Sequence, residues 1–341
     1  TDPHTGKLLL LSCIFGCLDF CSVLAAISSV GSIFVHSVEN RDKIKDVTMK
    51  YSDKQGDFIA MANLYLAYSD SFNKKFMSDH CLSFNMLKDV ASTRQQYYQL
   101  LSEMGFIKLP TVPRKVLKPN YDMTRAIIIG AFYPNIARVQ YPPKKFLKSS
   151  LGAIEADTDA RLTKYWIKKE NRTDQDSSLA ATRVFIHPSS VLFGKNTTGF
   201  EIDEELESHI TREDGSIDID KARQMIPLNK PLPASKHTFI AYRSSHLSNK
   251  LYVNGITPSN TLATLLFGGS FEYDLHPTSG TPSNGIILDT WLPVRTWCKN
   301  GVLIKQVRKL LDTYMDSLLS SFDKAENNDD IVAIIKKAVS L

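Results

Sequence analysis

His187 and Ser189 stand two residues apart and are the residue types of a base and a nucleophile. Such a pair works only when the imidazole reaches the hydroxyl and a third group orients the ring. In a strand, positions two apart share a face but lie about 6–7 Å apart, wrongly for a relay, so nucleophilic chemistry is not expected here. Asp214-Gly215-Ser216-Ile217-Asp218 has the composition of a calcium loop. With Gly215 at the loop glycine, Ile210 and Arg212 fall where carboxylates belong, and Lys221 falls where a bidentate Glu is needed. A solvated acidic loop is the better reading. The chain has no Gly-x-x-x-x-Gly-Lys-Ser/Thr phosphate loop, no Gly-x-Ser-x-Gly elbow and no His-Glu-x-x-His pair. Cys13, Cys17 and Cys21 recur at a spacing of four inside an apolar run. That spacing lines one side of a helix with small buried hydrophobes and is not a zinc spacing. Five cysteines are too few, and odd in number, for a disulfide scaffold, which points to a reducing compartment. Asn171-Arg172-Thr173 and Asn196-Thr197-Thr198 match the glycosylation sequon, which has meaning only in the secretory pathway.

Composition bounds the rest. The 341 residues are 43 % hydrophobic and 23 % charged, which excludes a disordered chain, a collagen and a polytopic membrane protein. This length argues for two or more domains. The net charge is only +5, but it is unevenly placed. Between Lys108 and Lys148 nine Lys/Arg face one acid, Asp122, so this window is about +8 and the remainder is negative. A local basic window suits contact with phosphates more than the modest total does.

The elements that must position any site change character along the chain. Residues 8–35 are almost continuously apolar, yet they contain Asp19, Gly16, Gly31 and five serines. A charge near mid-span is costly in hydrocarbon, so the run predicts two buried helices broken near Asp19 rather than a membrane span. Because the chain begins with Thr1, a fragment or processed product is expected. Helical spacing recurs over Asp57–Tyr68 and over Phe84–Met104, with Gly105 as a stop. No proline lies between Pro3 and Pro110, as suits a helical bundle over residues 1–108. Residues 109–134 then form a proline-punctuated basic connector with one further helix from Asp122 to Phe132. Beyond it, Arg183–Ile186, Thr238–Tyr242 and Lys250–Val253 are β-branched and aromatic, and they predict a small barrel or sandwich over 135–295. The polar stretches at about 151–179 and 201–232 are expected as surface insertions, the second holding nine acids against Arg212 between 201 and 220. Helical periodicity returns in the extension 296–341, at Gly301–Phe322 and Ile331–Leu341. The expected fold class is α+β.

Several segments together carry a resemblance. His4-Thr5-Gly6-Lys7-Leu8-Leu9-Leu10, continuing to Phe15-Gly16-Cys17-Leu18-Asp19, is one. Gly56-Asp57-Phe58 to Tyr65 and Tyr133-Pro134-Asn135-Ile136-Ala137 are two more. Arg183-Val184-Phe185-Ile186-His187-Pro188-Ser189-Ser190-Val191-Leu192-Phe193 is the most specific, and Lys250–Val253, Ile256–Pro258 and Leu265-Leu266-Phe267-Gly268-Gly269 complete the order. The chain resembles the C-terminal region of DEAH/RHA-type ATP-dependent RNA helicases, in the RNA helicase A-like branch: a ratchet-like helical (HA2) domain followed by an OB-fold.

The resemblance implies a module with no catalytic residues or cofactor of its own. ATP and Mg would belong to RecA-like domains preceding Thr1. The module would form one wall of a single-stranded RNA channel and couple ATPase motion to translocation. It implies RNA contact by Asn85, Arg94 and Gln96 on the second long helix. Asn85 stands where the family often has Arg. In the barrel it implies contact by His187, Ser189, Ser190, Arg243, Ser248 and Lys250. Expected partners are single-stranded RNA and the RecA-like domains, with no membrane. The alternative is a docking module for a ribonucleoprotein or ribosomal partner, using the two insertions. The expected compartment is intracellular, foremost the cytoplasm.

Overall fold

The computed structural model describes residues 2–53, 55–71, 73–108, 119–141, 145–149, 152–156, 163–168, 181–193, 238–259, 261–274, 285–296, 298–320 and 329–339. Contacts group the chain into two units, one of Thr1–Gln140, Lys164–Phe193 and Thr238–Leu341, the other of Tyr141–Thr163 and Gly194–His237. In the second, strands β2 (Lys145–Ser149) and β3 (Gly152–Ala156) pair as an antiparallel hairpin. The first unit holds a helical bundle, a barrel and a small separate sheet.

The apolar N-terminal run folds as α1 (Pro3–Ile14) and α2 (Leu18–Val30). The break falls at Phe15-Gly16-Cys17, so Asp19 sits in the first turn of α2, where a carboxylate complements the helix dipole. Helix α2 is buried continuously from Phe20 to Ile27 because other helices surround it. That accounts for an apolar run with little periodicity. Helices α4 (Asp57–Ser71) and α6 (Phe84–Glu103) pack against α2 with α1, and α3 (Arg41–Tyr51) and the short α5 (Lys74–Asp79) pack on α4. Helix α7 (Tyr121–Phe132) is equally enclosed and packs on α1. Its N-terminus is capped by the Asn120 side chain, which accepts from the Met123 N–H at 3.1 Å.

Five strands close a barrel: β1 (Ile136–Gln140), β4 (Lys164–Lys168), β5 (Ala181–Ile186), β6 (Phe239–Leu247) and β7 (Leu251–Ser259), in the order β1-β4-β5-β7-β6. Every neighbouring pair is antiparallel except β5 and β7, which run parallel. Counted within the barrel this is order 1-2-3-5-4, a Greek-key closure of the OB type. Ala137, Val184, Ile186, Ile240, Tyr242, Val253 and Ile256 fill the interior. Phe239 and Ala241, on the other face of β6, join the helical core. One strand corrects the sequence reading. The stretch 151–179, expected as an insertion, contains β4, whose Tyr165 and Ile167 pack against the barrel core. Flanking lysines masked that alternation. The expected insertion at 201–232 lies outside the described residues.

Helix α8 (Thr261–Phe267) comes after β7, and β8 (Phe271–Asp274), β9 (Gly285–Leu288) and β10 (Leu292–Arg295) form a separate antiparallel sheet. Its Ile286, Leu288, Leu292 and Val294 enter the helical core, so this sheet is not barrel, although the sequence reading placed it there. Helices α9 (Cys298–Ser320) and α10 (Asp329–Val339) come last. The paired glycines after α8 permit close approach. A Cβ on Gly268 would lie 2.4 Å from the Thr264 carbonyl oxygen, and one on Gly269 would lie 2.3 Å from the Tyr133 hydroxyl. Arg308 of α9 donates to the carbonyls of Leu265 (3.3 Å) and Gly268, which terminates α8 and pins α9 to it.

The joint between bundle and barrel is Gly56-Asp57. Asp57 opens α4 and is buried. Its carboxylate accepts from the N–H of Val191 at 2.7 Å and of Ile256 at 3.2 Å. Burial pushes its pKa up, while these bonds and one from the Ser190 hydroxyl pull the other way. Gly56 has φ +97°, and a Cβ there would lie 2.3 Å from the Ile256 carbonyl oxygen. Asp57→Ala would strand two buried N–H groups and is expected to destabilise the fold by about 2–5 kcal/mol. The guanidinium denaturation midpoint should fall accordingly, and an unchanged midpoint would remove the carboxylate from this role.

Candidate nucleic-acid interface

Four of the six barrel residues singled out in the sequence lie on one outer surface, formed by β5, β7 and β6 and the turns that end them. Val184 and Ile186 point inward, so Arg183 and Phe185 point outward. Phe185 pairs in register with Tyr252, and their ring centroids are 6.2 Å apart. Tyr252 in turn lies opposite His246, stacked at 5.7 Å with 23° between planes. His187 closes the group at 6.0 Å from Tyr252 and 5.7 Å from His246. Two cations flank the row: Arg183 stands 4.8 Å and Lys250 4.6 Å from the Phe185 ring centroid. The short turn carrying Ser248 and Lys250 is held by the Ser248 N–H, which donates to the Lys250 carbonyl at 3.0 Å. Asn254 lies 3.2 Å from His246 Nδ1 and adds an amide beside the rings.

Aromatic faces framed by cations suit single-stranded nucleic acid. Bases stack on rings, and phosphates pair with cations. His187, Ser189, Ser248 and Lys250 of the sequence-based set are on this surface. Ser189 is exposed; its N–H donates to His187 Nδ1 at 3.2 Å and its hydroxyl lies 2.7 Å from the same nitrogen. The contact that strand geometry seemed to forbid is therefore made, because Ser189 lies in the turn after β5. It does not build a relay. The groups that shift His187 are His246 and Arg41, and no described carboxylate orients the ring.

Two other members occupy different roles. Ser190 is 2 % exposed, and its hydroxyl serves Asp57 and the Leu192 N–H (3.2 Å), so it cannot meet a strand in solvent. Arg243 is half-buried, with its guanidinium pKa lowered by that burial. Its Nη1 is enclosed with no hydrogen-bond partner among the described residues. That donor is costly to leave unmade.

On α6, Asn85 and Gln96 are exposed, but Arg94 is not turned outward. Its Nε donates to the Ser22 hydroxyl at 2.9 Å and its Nη2 to the Asp19 carbonyl at 3.3 Å, and it lies over the Tyr98 ring. Tyr98 itself donates to the Asp19 carboxylate at 2.5 Å. The sequence reading missed this because the partners lie more than 70 residues upstream. No hydrogen bond or ring contact among the described residues links the α6 set to the barrel set.

The sequence reading also missed Arg183, Phe185, His246, Tyr252 and Asn254. Alternation along β5 was legible, but the partners of Phe185 across β7 and β6 were not. Helix α3 adds Arg41, close enough to lower the His187 pKa, and Lys45, 5.8 Å from the Phe193 ring centroid.

The closed barrel and the helices joined to it define an OB-fold coupled to a helical domain. Comparison agrees. The family described as helicase associated domain (HA2), ratchet-like, matches residues 2–80, and the oligonucleotide/oligosaccharide-binding (OB)-fold family matches residues 124–271. The chain is 37 % identical over 99 % of its length to a Saccharomyces cerevisiae protein provisionally named ATP-dependent RNA helicase YLR419W. It is 26 % identical over 99 % of its length to a Schizosaccharomyces pombe protein provisionally named ATP-dependent RNA helicase ucp12. It is 20 % identical over 96 % of its length to the human ATP-dependent DNA/RNA helicase DHX36. The chain covers 25 %, 22 % and 27 % of these relatives, about a quarter of each. It belongs to the DEAH-type RNA helicase family, as the HA2 and OB-fold region found in their C-terminal part.

Arg94→Ala is expected to destabilise the protein by about 1.5–3 kcal/mol in chemical denaturation while changing RNA affinity less than twofold. The reverse pattern would restore Arg94 to an RNA path. His187 has its pKa lowered from 6.5, first by partial burial and then by His246 and Arg41. Its folded-state pKa thus lies below the unfolded value. The ring is neutral at neutral pH, and charging it costs stability as pH falls through 6.5. Protonation would add charge to the surface, so RNA affinity should rise severalfold on acidification toward the ring's pKa. A pH series should flatten in His187→Phe.

Proposed function

We propose that this chain is the RNA-binding accessory module of an ATP-dependent RNA helicase. It would form one wall of a channel for single-stranded RNA and couple ATPase-domain motion to translocation. The observation that carries this reading is the row of rings on β5, β7 and β6, flanked by Arg183 and Lys250. A row of adjacent rings grips bases without regard to sequence, and its cations hold the backbone. Those are the needs of a translocating wall, which must release and regrip at each step. The phosphate-loop sequence is absent from the chain, so ATP and Mg are proposed to bind RecA-like domains of a longer protein. Work inside the cell, in the cytoplasm, fits the four free cysteines among the described residues. The docking alternative has no observation of the described residues in its favour.

Fluorescence anisotropy with a short single-stranded RNA across a salt series tests the reading. Log affinity should fall linearly with log salt. Lys250→Ala and Arg183→Ala should each weaken binding and reduce the slope by about 0.7. Tyr252→Ala should weaken binding by roughly 5- to 150-fold, the range of one lost stacking contact. No binding at low salt, or binding indifferent to all three substitutions, would remove this surface as the RNA path.

A further inference from the structure

A second group of aromatic and cationic side chains occupies other strands of the barrel. On the outer surface of β1 and β4, Arg138 lies directly opposite Trp166, and Gln140 directly opposite Lys164. The residues between them, Val139 and Tyr165, pack toward the barrel core. The turn joining β9 and β10 brings Thr290 and Trp291 to the same place, and the six residues line a cavity of about 550 Å³. That volume lies within the usual range for small-ligand sites.

The walls are fixed before any ligand arrives. The Trp166 indole N–H donates to Gln140 Oε1 at 2.8 Å, which holds the ring and leaves the Gln140 amide nitrogen as a donor. Trp291 packs partly against the helical core. Its turn is unusual: Asp289 and Thr290 both have positive φ, at 52° and 67°, and Thr is β-branched. The Trp291 N–H closes the turn on the Leu288 carbonyl at 3.3 Å. Lys168 of β4 fastens it to the barrel by an ion pair with Asp289 at 3.1 Å. A strained turn tethered beside a cavity needs a reason, and presenting Trp291 supplies one. Neither Arg138 nor Lys164 has an ion-pair partner among the described residues.

We propose that this cavity binds a nucleotide, with the base against Trp166 and Trp291 and the phosphate on Arg138 and Lys164. The Gln140 amide would then donate to an edge of the base. A nucleotide presents a flat aromatic ring and an anion one ribose apart. Trp166 and Arg138 are direct cross-strand neighbours, with Cβ atoms about 4.5–5.5 Å apart, which matches that span. An acidic peptide could offer an anion and a ring, but two indoles in one cavity favour the two faces of a base. The ligand can be a free nucleotide or one nucleotide of an RNA strand. The site uses none of the residues of the surface on β5, β7 and β6.

The chain has three tryptophans, so indole fluorescence is read in a Trp297→Phe parent, whose two remaining indoles, Trp166 and Trp291, both line the cavity. AMP, UMP and an eight-nucleotide single-stranded RNA would each be titrated. Quenching is expected, with the midpoint raised at least tenfold in Arg138→Glu/Lys164→Glu and within twofold of the parent in Lys250→Ala. Trp166→Phe keeps an aromatic wall and should raise the midpoint about three- to tenfold, which guards against a loss caused by misfolding; circular dichroism would check each variant. Quenching by AMP or UMP alone assigns a free nucleotide, and quenching by RNA alone assigns a base within a strand. The proposal is overturned if none of the three quenches, or if the double charge reversal leaves the midpoint unchanged. It is also overturned if an acidic aromatic peptide quenches where nucleotides do not.

Discussion

A single buried carboxylate holds the bundle and the barrel in register. Asp57 starts α4, yet its two strong bonds are to backbone N–H groups of the segment after β5 and of β7. Strands β5 and β7 are parallel neighbours in the barrel. One side chain therefore ties a helix start to both members of the barrel's parallel pair. The N–H of Val191 needs an acceptor because the chain has left β5 there, and water cannot reach it. Gly56 makes the approach possible, since any Cβ would strike the Ile256 carbonyl. The Ser190 hydroxyl completes the arrangement from the turn that also carries Ser189 and His187. The turn beside the aromatic row is thus set by an interaction made on its buried side.

This division between buried and exposed recurs across the barrel. Each strand spends alternate residues on the interior, and what remains decides function. On β5 the outward residues are Arg183 and Phe185, and on β7 Tyr252. On β1 and β4 they are Arg138, Gln140, Lys164 and Trp166. Both surfaces pair cations with rings, but the surroundings differ. The row on β5, β7 and β6 is open, with cations seated over its own Phe185 ring. The surface on β1 and β4 is bordered on one side by a turn fastened through Lys168 and Asp289. An open row suits a strand that slides. A walled, half-open cavity suits one held nucleotide.

The carboxyl-terminal elements contribute by packing rather than by chemistry. The three-stranded sheet feeds Ile286, Leu288, Leu292 and Val294 into the core of the helices. Arg308 satisfies the carbonyls that α8 leaves open at its end. The Gly268-Gly269 pair is required because Thr264 and Tyr133 leave no room for a side chain. A sequence pattern that looks like a family signature is, physically, a place where backbone meets backbone and ring.

The sequence by itself determined two buried helices within 8–35 and helices near 57–68, 84–104 and 122–132, because their apolar spacing is a local feature. It also determined that β5, β6 and β7 are strands, through their β-branched and aromatic content. Family-ordered motifs placed the HA2 and OB-fold regions. His187, Ser189, Ser248 and Lys250 were candidates only through that resemblance, and no local pattern singles them out. What only the tertiary structure decided was which side each polar residue faces. Arg94 is claimed by Asp19 and Ser22, and Ser190 by Asp57, through contacts 70 and more residues apart that no local pattern encodes. Strand β4 was hidden because lysines surround its two inward residues. The row of Phe185, Tyr252 and His246 exists only once three strands lie side by side, so its rings acquire meaning from closure of the barrel.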